Sequence, residues 1–153
     1  MSSASPLLII ISAPSGGGKT TLVKQLLATQ PSITRVVTCT TRPPRPGEVE
    51  GVDYYFMSPD DFRRRVQAGE FLEHAAVYGN SYGTLKSEVI DKLRSGKDVL
   101  LNMDVQGVAT VCIEAAKVPE IQHAMMTVFL TPASIAILEQ RLVKRGEDLP
   151  EVI

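Results

Sequence analysis

Three consecutive glycines, Gly16, Gly17 and Gly18, lead into Lys19 and Thr20, a run whose residue types suit the binding of a phosphate chain. Glycine carries no Cβ and accepts positive φ, so phosphate oxygens can approach the main chain closely. Successive N–H groups of such a turn point at an anion, and the positive end of a following helix lies beneath it. In this pattern Lys19 reaches the β- and γ-phosphates and the Thr20 hydroxyl ligates Mg²⁺. The whole loop runs Ala13-Pro14-Ser15-Gly16-Gly17-Gly18-Lys19-Thr20, with Thr21 following. It departs from the strict pattern only at Ala13, where glycine is the rule. The alternative is a glycine-rich strand-to-helix turn that holds a lysine by chance.

That chemistry needs a buried strand before the loop and a helix after it. Leu7-Leu8-Ile9-Ile10-Ile11 supplies the strand, and Leu22, Val23, Leu26 and Leu27 recur at helical spacing until Pro31. Further along, Arg35 to Cys39 reads as a second strand, followed by the proline-rich turn Arg42-Pro43-Pro44-Arg45-Pro46-Gly47. Ser58-Pro59-Asp60-Asp61 reads as a capped helix start, with Phe62 and Val66 inward and Gly69 past the end. Phe71 to Glu73 and Val77-Tyr78 read as short strands, with Gly79-Asn80 as the turn to a pairing strand. A helix with Val89, Ile90 and Leu93 ends at Gly96, and Val99 to Leu101 is a second buried strand. Val108, Val111, Cys112 and Ala115 mark the next helix, and Met125 to Leu130 a third buried run. Thr131-Pro132 opens a last helix carrying Leu138 and Leu142, stopped by Gly146.

Alternation of apolar strands with amphipathic helices predicts an α/β fold, a parallel sheet with helices on both faces. The stretch 35–84 breaks the alternation and reads as a mostly β insertion over the strand ends, where open α/β sheets place ligands.

Composition narrows the class. The 153 residues suit one domain, and 44% hydrophobic with 22% charged residues is ordinary for a globular protein. A net charge of −1 gives no electrostatic footprint for nucleic acid or a membrane surface, and no apolar run approaches the roughly 20 residues of a membrane span. Met1 to Pro6 does not resemble a secretory signal. Cys39 and Cys112 form neither a disulfide framework nor a metal-ligand spacing, which fits a cytoplasmic protein. His74 and His123 stand far apart without a partner residue.

Seven blocks, in order, resemble the guanylate kinase family. They are Ser12 to Thr20, Thr40 to Glu48, Gly51 to Phe56, Gly69 to Glu73, Tyr78 to Thr84, Asp104 to Gly107, and Arg141-Leu142 with Arg145-Gly146. The resemblance implies a P-loop fold whose residues 7–34 and 85–131 form the core, with 35–84 a small GMP-binding insertion and 132–153 the start of a helical lid. It implies transfer of the ATP γ-phosphoryl group to GMP, and to dGMP, with Mg²⁺, by a monomer or homodimer that binds neither nucleic acid nor membrane. Arg42, Arg45, Tyr54 and Tyr82 would surround the GMP phosphate, and Thr38, Glu73, Thr84, Asn102 and Asp104 would serve the base and its surroundings.

Glu73 suits guanine for a chemical reason: N1–H and the 2-amino group are adjacent donors that one carboxylate accepts side by side, whereas adenine presents a bare acceptor. Lys19, Arg141 and Arg145 would act on the transferring phosphoryl group. A solvated basic loop is the alternative at Arg42 and Arg45, and an exposed basic helix face, with Glu139 and Glu147 nearby, at Arg141 and Arg145. The family carries an acidic residue where this chain has Asn102, so weaker GMP binding or selectivity is expected. The ending at Glu151-Val152-Ile153 reads as the start of a further lid helix, as in a truncated chain. Two other functions fit the same fold, a non-catalytic guanylate kinase-like binding module and a P-loop kinase for another small phosphate acceptor.

Overall fold

The computed structural model describes residues 5–145, with the side chain of Arg145 left out. Residues 1–4 and 146–153 lie outside the described residues, among them Gly146, Glu147 and Glu151 to Ile153, as does any lid contact of Arg145. In chain order the elements are β1 (Leu8–Ser12), α1 (Lys19–Thr29), β2 (Ile33–Arg35), β3 (Thr38–Thr40), β4 (Tyr54–Phe56), α2 (Pro59–Gln67) and β5 (Phe71–Val77). They continue with β6 (Asn80–Leu85), α3 (Lys86–Arg94), β7 (Asp98–Met103), α4 (Val105–Ala115), α5 (Pro119–Ala124), β8 (Met125–Phe129) and α6 (Ile135–Arg145).

Among the described residues these strands form two four-stranded sheets. The first, ordered β2-β7-β1-β8, is parallel throughout. Its apolar strands pack with helices into one core of Leu8, Ile10, Val99, Leu101, Val111 and Ile121 among others. Ser12 pairs with Met103 on one side and Phe129 on the other, so β1, β7 and β8 end level. Their following loops therefore gather at one edge. The second sheet, ordered β4-β3-β6-β5, pairs β3 with β4 in parallel and its other strands antiparallel. On it lies α2, whose Phe62 stacks on Phe71 at 4.5 Å between ring centroids.

The α2 start forms as its residues dictate: the Ser58 hydroxyl accepts from the Asp61 N–H at 3.1 Å and donates to the Asp61 carboxylate at 2.7 Å.

Four expectations need correction. The strand expected over Arg35 to Cys39 is two strands, because the chain leaves the first sheet after Arg35 and enters the second at Thr38. Val36 and Val37 are both buried at this crossing, which neither strand alternation allows. Phe71 to Val77 is one continuous strand, and the turn is Tyr78-Gly79, one residue earlier than expected. Both turn residues have positive φ, as a two-residue hairpin turn with matching twist requires. The run at Met125 forms a strand that, among the described residues, pairs with β1 alone and so lies at the edge of the sheet, with Met126 41% and Phe129 56% exposed. Finally, α6 begins at Ile135 rather than at Thr131-Pro132, with the Ser134 hydroxyl accepting from the Ile137 N–H at 3.3 Å. The short helix α5 was not expected; Pro119 opens it without a capping side chain at Val118.

Candidate active site

Residues 13–18 join the end of β1 to α1. Gly18 stands at the helix N-cap with φ of 91°, and no side chain caps the first turn. The leading amides of α1 are thus left for an anion. Gly17 is required by space: a Cβ there would stand 2.8 Å from the Ala13 Cβ and 2.9 Å from the Pro14 carbonyl oxygen. Ala13 itself is buried, so its methyl group is part of the packing that shapes the turn.

A cavity of about 880 Å³ opens over the loop, and every residue from Ala13 to Thr21 lines it, together with Asp104 and Arg141. The Lys19 ammonium donates to the Met103 carbonyl at 3.1 Å, which ties the loop to the end of β7. Helix α6 lies against the same loop. Leu138 and Leu142 would meet a Cβ on Gly16 at 3.3 and 3.0 Å, and the Arg141 guanidinium would lie 3.8 Å from one on Gly18. Asp104, grouped on sequence with the acceptor residues, lines this cavity over the glycine loop and caps α4, accepting from the Gly107 N–H at 2.7 Å.

A second cavity, of about 340 Å³, lies between the two sheets and brings together Thr38, Glu73, Thr84 and Asn102. The Thr84 hydroxyl donates to the Glu73 carboxylate at 2.8 Å. Burial pushes the Glu73 carboxyl above its usual range, the Thr84 hydrogen bond and the neighbouring His74 oppose that, and the Asp104 charge adds to it. Asn102, on the end of β7, is exposed toward this cavity and brings a polar amide without charge.

The third group sits on the second sheet. The Arg42 guanidinium lies 5.3 Å from the Tyr54 ring centroid, and the Tyr54 and Tyr82 rings meet edge-on at 6.2 Å. One Arg42 nitrogen donates to Glu48 at 2.7 Å and another to the Pro43 carbonyl at 2.8 Å. The second Glu48 oxygen accepts from the Arg45 N–H at 2.7 Å. Each partner stabilises the other's charge: Glu48 foremost raises the Arg42 pKa, and Arg42 foremost lowers that of Glu48. The Arg45 side chain is exposed.

Sequence reasoning gave Glu48 and Thr41 no role. Thr41 exchanges two hydrogen bonds with Ser81, its hydroxyl accepting the Ser81 N–H at 2.8 Å and its own N–H donating to the Ser81 carbonyl at 3.0 Å. That exchange fastens the Arg42 loop beside Tyr82. A glutamate closing a run that holds two arginines was the available signal for Glu48. Arg63, Arg64 and Arg65 of α2 are all exposed and paired to Asp60, Asp61 and Glu70 respectively, a solvated basic face.

The model of the guanylate kinase family matches residues 5–153. Among curated relatives, the guanylate kinase of Maricaulis maris is 45% identical over 147 residues, which is 96% of this chain and 65% of that protein. That of Paraburkholderia xenovorans is 47% identical, over 95% of this chain and 62% of its own length. The chain is also similar to the crystal structure of guanylate kinase from Anaplasma phagocytophilum, with a TM-score of 0.62 and 33% identity. That match covers 94% of this chain and 70% of the other. The chain thus spans roughly two thirds of the length of the curated relatives it matches, between 62% and 70% of those compared.

Proposed function

Because the chain belongs to the guanylate kinase family, we propose that it transfers the γ-phosphoryl group of ATP to GMP, and to dGMP, giving ADP and the nucleoside diphosphate. The observation that carries this reading is the order of the three groups. An uncapped glycine loop with Lys19 lies at the ends of the core strands, a Glu73 cavity lies between the sheets, and Arg42 stacks beside two tyrosines on the second sheet.

In this reading the α1 amides and Lys19 hold the donor phosphates. The Arg42 fork exchanges its bond to Glu48 for the GMP phosphate, with the Tyr54 and Tyr82 hydroxyls beside it and Arg45 turning in from solvent. Arginine suits this because its planar donors match two phosphate oxygens at once. Glu73, held by Thr84, accepts guanine N1–H and the 2-amino group, with Thr38 and Asn102 completing the cavity wall.

Transfer itself needs little covalent help. A GMP phosphate oxygen, already ionised, attacks the γ-phosphorus, the bond to the ADP oxygen breaks, and its electron pair leaves with ADP. No proton has to be removed, so the residues position the reactants and neutralise charge. Lys19 and Arg141 supply that charge, with Arg145 as a further candidate from α6. The oxygen donors at this site, the Thr20 hydroxyl and the Asp104 carboxylate, fit a hard cation, and Mg²⁺ bound with ATP would be held there and would offset charge on the phosphate oxygens.

No helix among the described residues is long and apolar enough to cross a membrane, and both cysteines are free, with burial raising the Cys39 thiol to about 12. We place the activity in the cytoplasm, where both nucleotides are available.

An assay of ADP release across GMP, dGMP, AMP, CMP and UMP tests the reading. GMP and dGMP should turn over, and AMP should be at least ~10³-fold poorer in kcat/KM, since a hydrogen-bonding pocket discriminates that strongly. Equal rates with AMP, or none with GMP, would overturn it. In the same assay Asn102→Asp should lower the KM for GMP by ~3- to 10-fold, the worth of adding charge to one hydrogen bond. An unchanged KM would show the position to be idle.

A further inference from the structure

The second sheet is fastened to the core unevenly. Its β5 edge is rooted through Leu72, which is fully buried in the main apolar core. Its opposite edge is β4, the strand that carries Tyr54. One carboxylate bridges that far edge to the core. Glu88, in the first turn of α3, accepts the Tyr55 hydroxyl on one oxygen at 3.1 Å. Its other oxygen accepts the Val37 N–H at 2.9 Å and lies 3.2 Å from the Lys92 ammonium on its own helix. The Glu88 side chain is only 10% exposed, so these bonds are shielded from solvent.

The place of these bonds in the chain matters as much as their number. Val36 makes the last backbone bond to the core strand, to the Leu100 carbonyl at 3.5 Å, and Thr38 opens the second sheet. Val37 is therefore the pivot of the first crossing between sheets. The second crossing is Leu85 to Lys86, where β6 runs directly into α3. Glu88 stands two residues beyond one crossing and bonds the other. Along β4, successive side chains point to opposite faces. Fixing Tyr55 by its hydroxyl on one face thus fixes the roll of the strand that presents Tyr54 to Arg42 and Tyr82 on the other.

We propose that Glu88 is a positioning residue for the acceptor phosphate: it clasps β4 and the Val37 crossing to α3, and so sets the Arg42–Tyr54–Tyr82 group at its distance from the Glu73 cavity. This rests on the reading of that group as the GMP phosphate site. Glu88 touches neither nucleotide in it, and the donor loop lies on other strands.

Initial rates with GMP and ATP varied separately give the first test, on Glu88→Ala, Glu88→Gln and Tyr55→Phe. Glu88→Ala should raise the KM for GMP ~10-fold, the scale of losing a charged hydrogen bond, and leave that for ATP within ~2-fold. Glu88→Gln should restore the GMP value to within ~3-fold of the parent, because its amide still accepts from Val37 and donates to the Tyr55 oxygen. Equal rises for both nucleotides in Glu88→Ala, or no rise for GMP, would overturn the proposal. Should Glu88→Ala fail to fold, Tyr55→Phe decides alone, since it removes one bond without removing a charge: an unchanged KM for GMP overturns the clasp.

Amide exchange separates this inference from the reading beneath it. If the parent chain shows no GMP turnover, the acceptor assignment fails, and with it the positioning role. The clasp is then still read from the Val37 amide, which should exchange ~10-fold faster in Glu88→Ala, while Ile10 and Leu101 in the core sheet keep their protection. Unaltered exchange at Val37 would refute the clasp itself.

Discussion

Replacing Lys19 with alanine is expected to lower kcat by ~10²- to 10³-fold, the range seen when one preorganised donor to developing charge is removed. The fold should survive. Among the described residues the Lys19 ammonium donates to one neutral partner, the Met103 carbonyl at 3.1 Å, and a hydrogen bond from a charged group contributes about 1.5–3 kcal/mol, a modest share of a domain's stability. The loop around it is shaped by other means: the close approach of Gly17 to Ala13 and Pro14, the positive φ of Gly18, and the cover of Leu138 and Leu142 over Gly16. GMP affinity, measured by calorimetry without ATP, should be unchanged within ~2-fold, because the acceptor group lies on the second sheet and shares no hydrogen bond with Lys19. The split between a lost kcat and an intact GMP affinity is the informative part. A kcat within ~3-fold of the parent would mean that the loop binds a phosphate chain without assisting transfer, as a binding module would.

What could be read before folding, and what could not, follows the range of the interactions. The β1–loop–α1 unit is legible because the features that set its turn are local, the close approach of Gly17 to Ala13 and Pro14 and the positive φ of Gly18, even though Met103, Leu138 and Leu142 reach the loop from far along the chain. The α2 cap is legible for the same reason, since Ser58 and Asp61 satisfy one another.

The junction at Val36-Val37 is not. Two adjacent buried valines look like one strand until Leu100 and Glu88 claim their backbones from 64 and 51 residues away. β8 was misread for a related reason. Met125 to Phe129 has the composition of a central strand, and only the strand order reveals that one of its edges is unpaired among the described residues. At the site, residues with a phosphate-loop or guanine-reading rationale could be named in advance. Glu48, Thr41 and Glu88 could not, because they act on other side chains or on backbone, and a carboxylate that holds an arginine looks on paper like any surface glutamate.

Glu73→Gln carries the second large expectation, on selectivity rather than on rate. The amide keeps one acceptor but sets a donor against a guanine donor, so kcat/KM for GMP should fall by ~10²- to 10³-fold, and the preference over AMP should fall with it. The ligand-free protein should respond in the opposite sense. Burial raises the Glu73 carboxyl above its ordinary value of 4.5, so the folded chain favours the neutral acid more than the unfolded chain does. That contribution to stability is fully present below pH 4.5 and is lost as pH rises through the raised folded value. Near neutral pH the parent therefore holds a carboxylate that the fold disfavours, and Glu73→Gln should unfold at a higher urea midpoint than the parent there, with the gap closing in acid.

Binding depends on the ionised form, so GMP affinity of the parent should decline as pH falls through the raised value. The phosphate of GMP also gains a proton, near pH ~6, and weakens its hold on Arg42 in the same direction. The variant separates the two: Glu73→Gln keeps the phosphate limb and lacks the carboxylate limb, so the ratio of parent to variant affinity isolates Glu73. A ratio that is flat from pH 4 to 8, or an unaltered preference for GMP over AMP, would remove Glu73 from base recognition and leave Thr84 hydrogen-bonded to a carboxylate with only a structural part in the cavity wall.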